Sequence, residues 1–253
     1  MLKLATEKIM TERDYKIVKH NDLIQKSRYS LNTQEQKVIL YLISKIMPED
    51  DSLKLYEFKI KDFCQICGID ETNGNNYIKL KACIKKLADK SVWITIDDKG
   101  TETLIRWIER PYINIASGIL KIKIDDLMKP YLLQLKNHFT QYNFLYTLAM
   151  KSKYSIRLFE ILKSYSNLHK WTVSVDDLKT KLSAETYERY SDFKRKVIDI
   201  AIREINEYSD ITVSLEFIKD SRKISEICFN IKTKKEITER IKTWAKIESV
   251  IDN

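Results

Sequence analysis

Apolar residues recur along this chain at two periods. From 33 to 46, Val38, Ile39, Leu42, Ile43 and Ile46 fall on one side of a helix. Thr33 suits its N-cap, Gln36 is the capping-box partner three residues on, and Pro48 lies just past the end. "LKLYEFKI" (53–60) alternates as a strand does. "KDFCQICGI" reads as a short helix opened at Asp62 and stopped by Gly68, and "ETNGN" as a loop. "NYIKLKACIKKLADK" is helical, with Tyr77, Leu80, Ile84, Leu87 and Ala88 on one face and Lys79, Lys85, Lys86 and Lys90 off it. "SVWITID" and "LIRWIERP" around "DKGT" predict a hairpin. "YINIA" and "ILKIKID" around Ser117 and Gly118 predict a second. A helix is expected from Asp125 to about His138. Residues 1–20 are mixed and charged, which predicts a flexible or weakly helical arm.

The second half repeats this order. "SKYSIRLFEILKSYS" (152–166) is a helix with Ile156, Phe159, Ile161 and Leu162 inward. "WTVSV" is a strand, "DDLKTKL" a short helix capped by Asp176, and "SAETYERYS" a loop. "YSDFKRKVIDIAIREINEYSD" (190–210) is a long helix, with Phe193, Val197, Ile200, Ala201, Ile205 and Tyr208 on its buried face and Ser191 or Asp192 as cap. "ITVSLEFI", the turn "KDSRK" and "ISEICFNIK" form a last hairpin. "FKIKDFCQI" thus corresponds to "VSVDDLKTK", and "YIKLKACIKKLADKSVWITI" to "FKRKVIDIAIREINEYSDITV". Helix, strand, helix–turn–helix and hairpin, twice over, predict an α+β chain of two tandem winged-helix domains. The expected bounds are an arm over 1–20, domains over 21–139 and 140–235, and a helical tail over 236–253. The tail places Ile237, Ile241 and Trp244 on one side, with no function assigned to it.

Composition narrows the function. The chain has 253 residues, 43% apolar and 32% charged, as globular proteins do. Only four Gly occur, with no GxGxxG or GxxxxGK[ST] pattern, so an active site built from a glycine-rich phosphate loop is not expected. Cys64 and Cys67 make a lone CxxC without a second pair, and His20, His138 and His169 are scattered. The cysteines, with Cys83 and Cys228, read as small core side chains in a reducing, cytoplasmic setting. No metal or other cofactor is expected. No apolar run is long enough for a membrane span, and the start lacks a secretory signal pattern. The net charge of +9 makes nucleic acid a plausible partner, but only local placement can carry that case.

The 190–210 helix carries it. Lys194, Arg195 and Lys196 sit in its first turns, where the helix dipole already places positive charge. A solvated charged face would explain cations there. A recognition helix explains them better: in helix-turn-helix proteins the second helix leads into the major groove with its N-terminal residues. Lys and Arg then meet guanine edges or phosphates. Arg189 in the preceding loop fits the same use. Lys219, Arg222 and Lys223 at the hairpin tip give a basic wing. In the first half, Lys79, Lys81, Lys85 and Lys86 mark the equivalent helix. Asn75 and Asn76 begin it, as caps or as adenine readers.

"NDLIQKSRYSLNTQEQKVILYLISKI", "YSIRLFEILKSY" and "FKRKVIDIAIREINEYSDITVSLEFIKDSRKISEICFNI" together resemble the plasmid replication initiators that bind iterons. The resemblance covers about residues 20–235. It rests on the joint order of an early N-L-I, a midway S-x-R-L-[FY]-E-x-L-K and a late V-I-x-x-A-I-x-E-I-N. It implies two winged-helix domains on separate major grooves of direct repeats at a plasmid origin, in the bacterial cytoplasm. Monomers would activate the origin, and dimers joined through the first domain would repress the protein's own gene or limit copy number. Opening of an AT-rich tract and recruitment of a host initiator and helicase would follow. The second-domain readers would be Arg189 to Lys196, with Arg222 and Lys223 in the wing. Ser155 and Arg157 match the midway motif. There Arg157 would contact phosphate or pair with Glu160 on the helix surface.

A nicking initiator would need closely spaced metal-binding histidines, which the chain lacks, so it is not read as an enzyme. A winged-helix transcriptional regulator without a replication role is the alternative. Its DNA chemistry would be the same.

Overall fold

The computed structural model describes residues 16–47, 49–67, 69 and 76–234. Of the arm expected over 1–20, the described part is ordered: Lys16–His20 is strand β1, antiparallel to β8 (Phe139–Asn143), with Ile17 opposite Tyr142. Its two buried side chains are Ile17 and Lys19. A lysine at an inward position breaks the apolar alternation, so the strand does not announce itself in sequence. The expected tail over 236–253 lies outside the described residues.

Helix α1 (Asn21–Gln25) and strand β2 (Ser27–Arg28) lead into α2 (Thr33–Ile43). The cap of α2 is Asn32, one residue before the expected Thr33. Its side chain accepts from the Glu35 N–H, and the Glu35 carboxylate accepts from the Asn32 N–H. Gln36, expected in that box, is buried and donates to the carbonyls of Leu31 and Lys153. Strand β3 (Tyr56–Lys59), α3 (Ile60–Cys67) and α4 (Asn76–Ala88) follow, then the hairpin β4 (Ser91–Thr95) and β5 (Glu102–Arg106). Strand β2 pairs with β4, giving the sheet β2-β4-β5.

The second hairpin, β6 (Tyr112–Asn114) and β7 (Ile119–Ile122), forms its own sheet with β3, in the order β3-β7-β6. The helix expected over 125–138 is much shorter: a 3-10 turn at Asp126–Met128 runs into α5 (Lys129–Leu132). Pro130 suits the start of that helix, where its missing N–H is not needed. Gln134 and His138, both at φ 52, then turn the chain into β8.

Helix α6 (Phe144–Ala149) and α7 (Lys153–Ser164) open the second half. Strand β9 (Lys170–Ser174) and α8 (Val175–Leu182) follow. The cap of α8 is Ser174 rather than Asp176: its hydroxyl accepts from the Asp177 N–H, and both aspartates sit in the first turn. Helix α9 (Tyr190–Phe193) passes through a π turn (Lys194–Ile198) into α10 (Asp199–Tyr208). The hairpin β10 (Ile211–Asp220) and β11 (Lys223–Thr233) completes the sheet β10-β11-β9. Each half therefore has the short helix, long helix and hairpin of a winged helix. The strand before the short helix is placed differently in the two: β9 pairs with β11 of its own hairpin, whereas β3 pairs with β7, and it is β2 that pairs with β4.

Buried side chains of both halves form one hydrophobic cluster, including Phe63, Phe144, Phe159, Phe193 and Phe229. Each contributes roughly 1.5–3 kcal/mol. Helix α7 is the joint. Ile156, Leu158, Phe159, Ile161 and Leu162 are all buried, with α1, α2 and β8 against it as well as α8 and α10.

Candidate nucleic-acid interface

The helix start at 190 is set by packing. Phe193, Val197, Ile198, Ala201 and Ile205 are fully buried, while the expected Ile200 is only half-buried. The π turn is the cause. The Asp199 N–H bonds to the Lys194 carbonyl, five residues back, which adds one residue to the turn and brings Ile198 inward. Neither Ser191 nor Asp192 caps the helix. The N-cap position is Arg189, and no side chain closes it.

Arg189, Arg195 and Lys196 are exposed at this helix start, and Lys194 is half-covered. Arg195 Nη2 lies 3.1 Å from Asp192 Oδ1, and Lys196 Nζ 3.3 Å from the same oxygen. These two cations hold the Asp192 carboxyl below the ordinary carboxylate range. Lys194 Nζ reaches both oxygens of Asp199, at 2.6 and 2.9 Å, and lies 5.8 Å from the centroid of Phe217 in β10.

The wing stands beside this helix. Its pairing runs from Ile211 opposite Thr233 to Asp220 opposite Lys223, with Ser221 (φ 54) and Arg222 as the turn. Lys219, Arg222 and Lys223 are exposed at the tip, and Phe217 and Ile218 are exposed below it. Asn206 locks wing to helix: its side-chain nitrogen donates to the Val213 carbonyl at 3.0 Å, and its side-chain oxygen accepts from the Val213 N–H at 2.7 Å. Glu204 does the same towards α7, accepting from the N–H groups of Lys151 and Ser152 at 3.2 Å. The E-I-N of the late motif is thus structural, holding the helix in place.

In the first half, Leu80, Ile84 and Leu87 bury one face of α4, and Lys79, Lys81, Lys85 and Lys86 are exposed on the rest. Lys85 pairs with Asp89 at 2.7 Å. Asn76 is the first residue of α4, and Asn75 lies outside the described residues. Ile78, exposed at the start of α4, has no counterpart among the expected readers.

Arg157 requires correction. Its side chain is 3% exposed and faces the interior, so it meets neither phosphate nor a surface partner. Its guanidinium donates to the Ser27 carbonyl at 2.8 Å and stacks over the Tyr29 ring at 4.5 Å. Glu160, one turn on, is equally buried and accepts from Lys19 and from the hydroxyls of Tyr142 and Tyr29. Arg157 and Glu160 of the midway motif therefore join the two halves. Lys181 adds a bond to the Gln25 carbonyl at 2.6 Å, and Ser183 one to the Tyr29 carbonyl at 2.9 Å. Sequence spacing could not find this cluster, because its partners come from distant parts of the chain.

All four cysteines are buried. Among the described residues no group of three or more His, Cys, Asp or Glu is placed to hold a metal ion, and no helix is long and apolar enough to cross a membrane.

Residues 16–163 match the family described as "Initiator Replication protein, WH1", and residues 174–231 match "Initiator Rep protein, WH2". The "PI protein" of Escherichia coli is 33% identical over 145 residues, which cover 50% of this chain and 47% of that protein. A "Replication initiation protein" of Escherichia coli is 28% identical over 218 residues, 81% of this chain and 66% of that protein. The matches thus span about half of one curated relative and just under two thirds of the other. A solved structure, "Crystal structure of Pi initiator protein in complex with iteron DNA", shares the fold. Its TM-score is 0.70 at 24% identity, over 88% of this chain and 99% of that one. With its WH1 and WH2 parts matched in order along more than half its length, the chain belongs to the family of initiator replication proteins.

Proposed function

We propose that this protein binds double-stranded DNA at the direct repeats, or iterons, of a plasmid origin and starts replication there. One observation carries the reading. Arg189, Lys194, Arg195 and Lys196 at a helix start stand beside a hairpin tip bearing Lys219, Arg222 and Lys223, in a chain of the initiator family. The helix would read base edges in the major groove, and the wing would hold the backbone. Lys79, Lys81 and Asn76 of α4, with Asn75 before it, would make the weaker contact of the first domain. That domain, over 21–139 together with β1, would also join dimers. The second, over 140–235, would carry most of the recognition.

Monomers would open the origin and recruit a host initiator and helicase in the bacterial cytoplasm. Dimers would repress the protein's own gene. The role is one of binding rather than catalysis. Fluorescence anisotropy on a duplex carrying the repeats beside the gene, against a scrambled duplex across a salt series, tests this. Preference for the repeats is expected. Equal, steeply salt-dependent binding would refute it. Preference for the repeats without support of plasmid replication would favour a transcriptional regulator.

A further inference from the structure

The cations at the start of the reading helix are already held by carboxylates. Lys194 is gripped by both oxygens of Asp199, and Asp192 faces both Arg195 and Lys196. We propose that Asp192 and Asp199 are specificity-determining residues: they occupy these three cations in the unbound protein, so that a bare phosphate backbone must displace a carboxylate to bind. The inference rests on the DNA-binding reading above and deepens it.

The Lys194–Asp199 pair exists because of the π turn. In a regular α-helix each residue advances by about 100°, so side chains five apart diverge by about 140°. The bond from the Asp199 N–H to the Lys194 carbonyl instead stacks the two residues, and the carboxylate closes on the amine. Such insertions are uncommon and concentrate at functional sites. Asp192 lies a turn earlier, where the helix dipole favours it, and serves two cations with one oxygen.

The exchange chemistry differs between targets. A phosphate offers Lys194 or Arg195 the charge that the carboxylate already supplies, so the swap gains little. Arg195 can trade its single 3.1 Å bond to Asp192 for a two-point contact to a guanine edge or to a phosphate, so the difference lies in what the freed carboxylate then meets. A displaced carboxylate can in turn accept from the amino group of cytosine. The carboxylates therefore weaken non-specific binding more than specific binding.

Asp192→Asn and Asp199→Asn test this. Both side chains are partly exposed and the replacements match them in shape, so thermal melting should show unchanged folding. Each variant is titrated against the repeat duplex and the scrambled duplex. Scrambled DNA should be bound about two- to fivefold more tightly, with a smaller change on the repeats, so that the preference falls. Because Asp199 acts through Lys194, its variant should have no effect in a Lys194→Gln background. Equal tightening on both duplexes would show ordinary charge repulsion and overturn the proposal. So would no change on either duplex, or an Asp199→Asn effect that survives Lys194→Gln. A parent protein without any preference would refute the DNA-reading function itself. A parental preference left intact by both variants would refute only this inference.

Discussion

Lys19 Nζ sits 2.5 Å from Glu160 Oε1, and neither side chain is more than 3% exposed. The pair ties β1 of the first half to α7 of the second. Burial opposes ionisation of Glu160, but Lys19, the Tyr142 hydroxyl and Arg157 outweigh it and hold the carboxyl below the ordinary range. A group depressed on folding stabilises above its unfolded pKa, and that contribution is lost as pH falls through the folded value. Stability should therefore drop on acidification below about pH 4.5, the ordinary value. Glu160→Gln should flatten that part of the profile. Urea midpoints across a pH series decide it. A variant as acid-sensitive as the parent would assign the loss to other carboxylates.

Arg157→Ala removes the guanidinium from Ser27 and Tyr29 and leaves the Ser27 carbonyl short of its donor. Stability should fall by about 3 kcal/mol, as when a buried charged group loses its partners. The salt dependence of DNA binding should be unchanged. A reduced salt slope in a fully stable variant would return Arg157 to the DNA surface.

Arg195→Ala should weaken binding to the repeats by about 1–3 kcal/mol and relax the preference at one base position. Titration against a panel of single-base variants of the repeat shows which. Weaker binding with every preference retained would make Arg195 a phosphate contact.

Lys223→Ala, at the wing tip, should reduce affinity alike for all duplexes and lower the salt slope by about one unit. An unchanged slope would place the tip off the DNA.

Asn206→Ala removes both bonds to the Val213 backbone. The expected cost is about 1–3 kcal/mol. Hydrogen exchange at the Val213 amide should quicken, because the side chain is its acceptor. Protection as strong as in the parent would mean that the hairpin holds itself.

Helices α2, α4, α7 and α10 and the three hairpins are legible in sequence, because each keeps a clean period of 3.6 or 2. Strand β1 is not, since Lys19 occupies an inward position and its partner, Glu160, is 141 residues away. Arg157 and Glu160 look like a surface pair at i,i+3, and only the folded chain shows them enclosed. The cations of the candidate site are legible by sign and place. Their pairing is legible only in part: Asp192 lies at ordinary helical spacing from Arg195 and Lys196, but Asp199 meets Lys194 through a π turn. That turn is invisible because Ile198 and Ile200 are equally apolar.

Helix α7 is covered on both sides, by the first half and by the second. Each half therefore completes the interior of the other, and one cooperative melting transition is expected rather than the two of beads on a string. Under the proposed function, the two DNA-contacting faces would then be gained and lost together, as one grip rather than two.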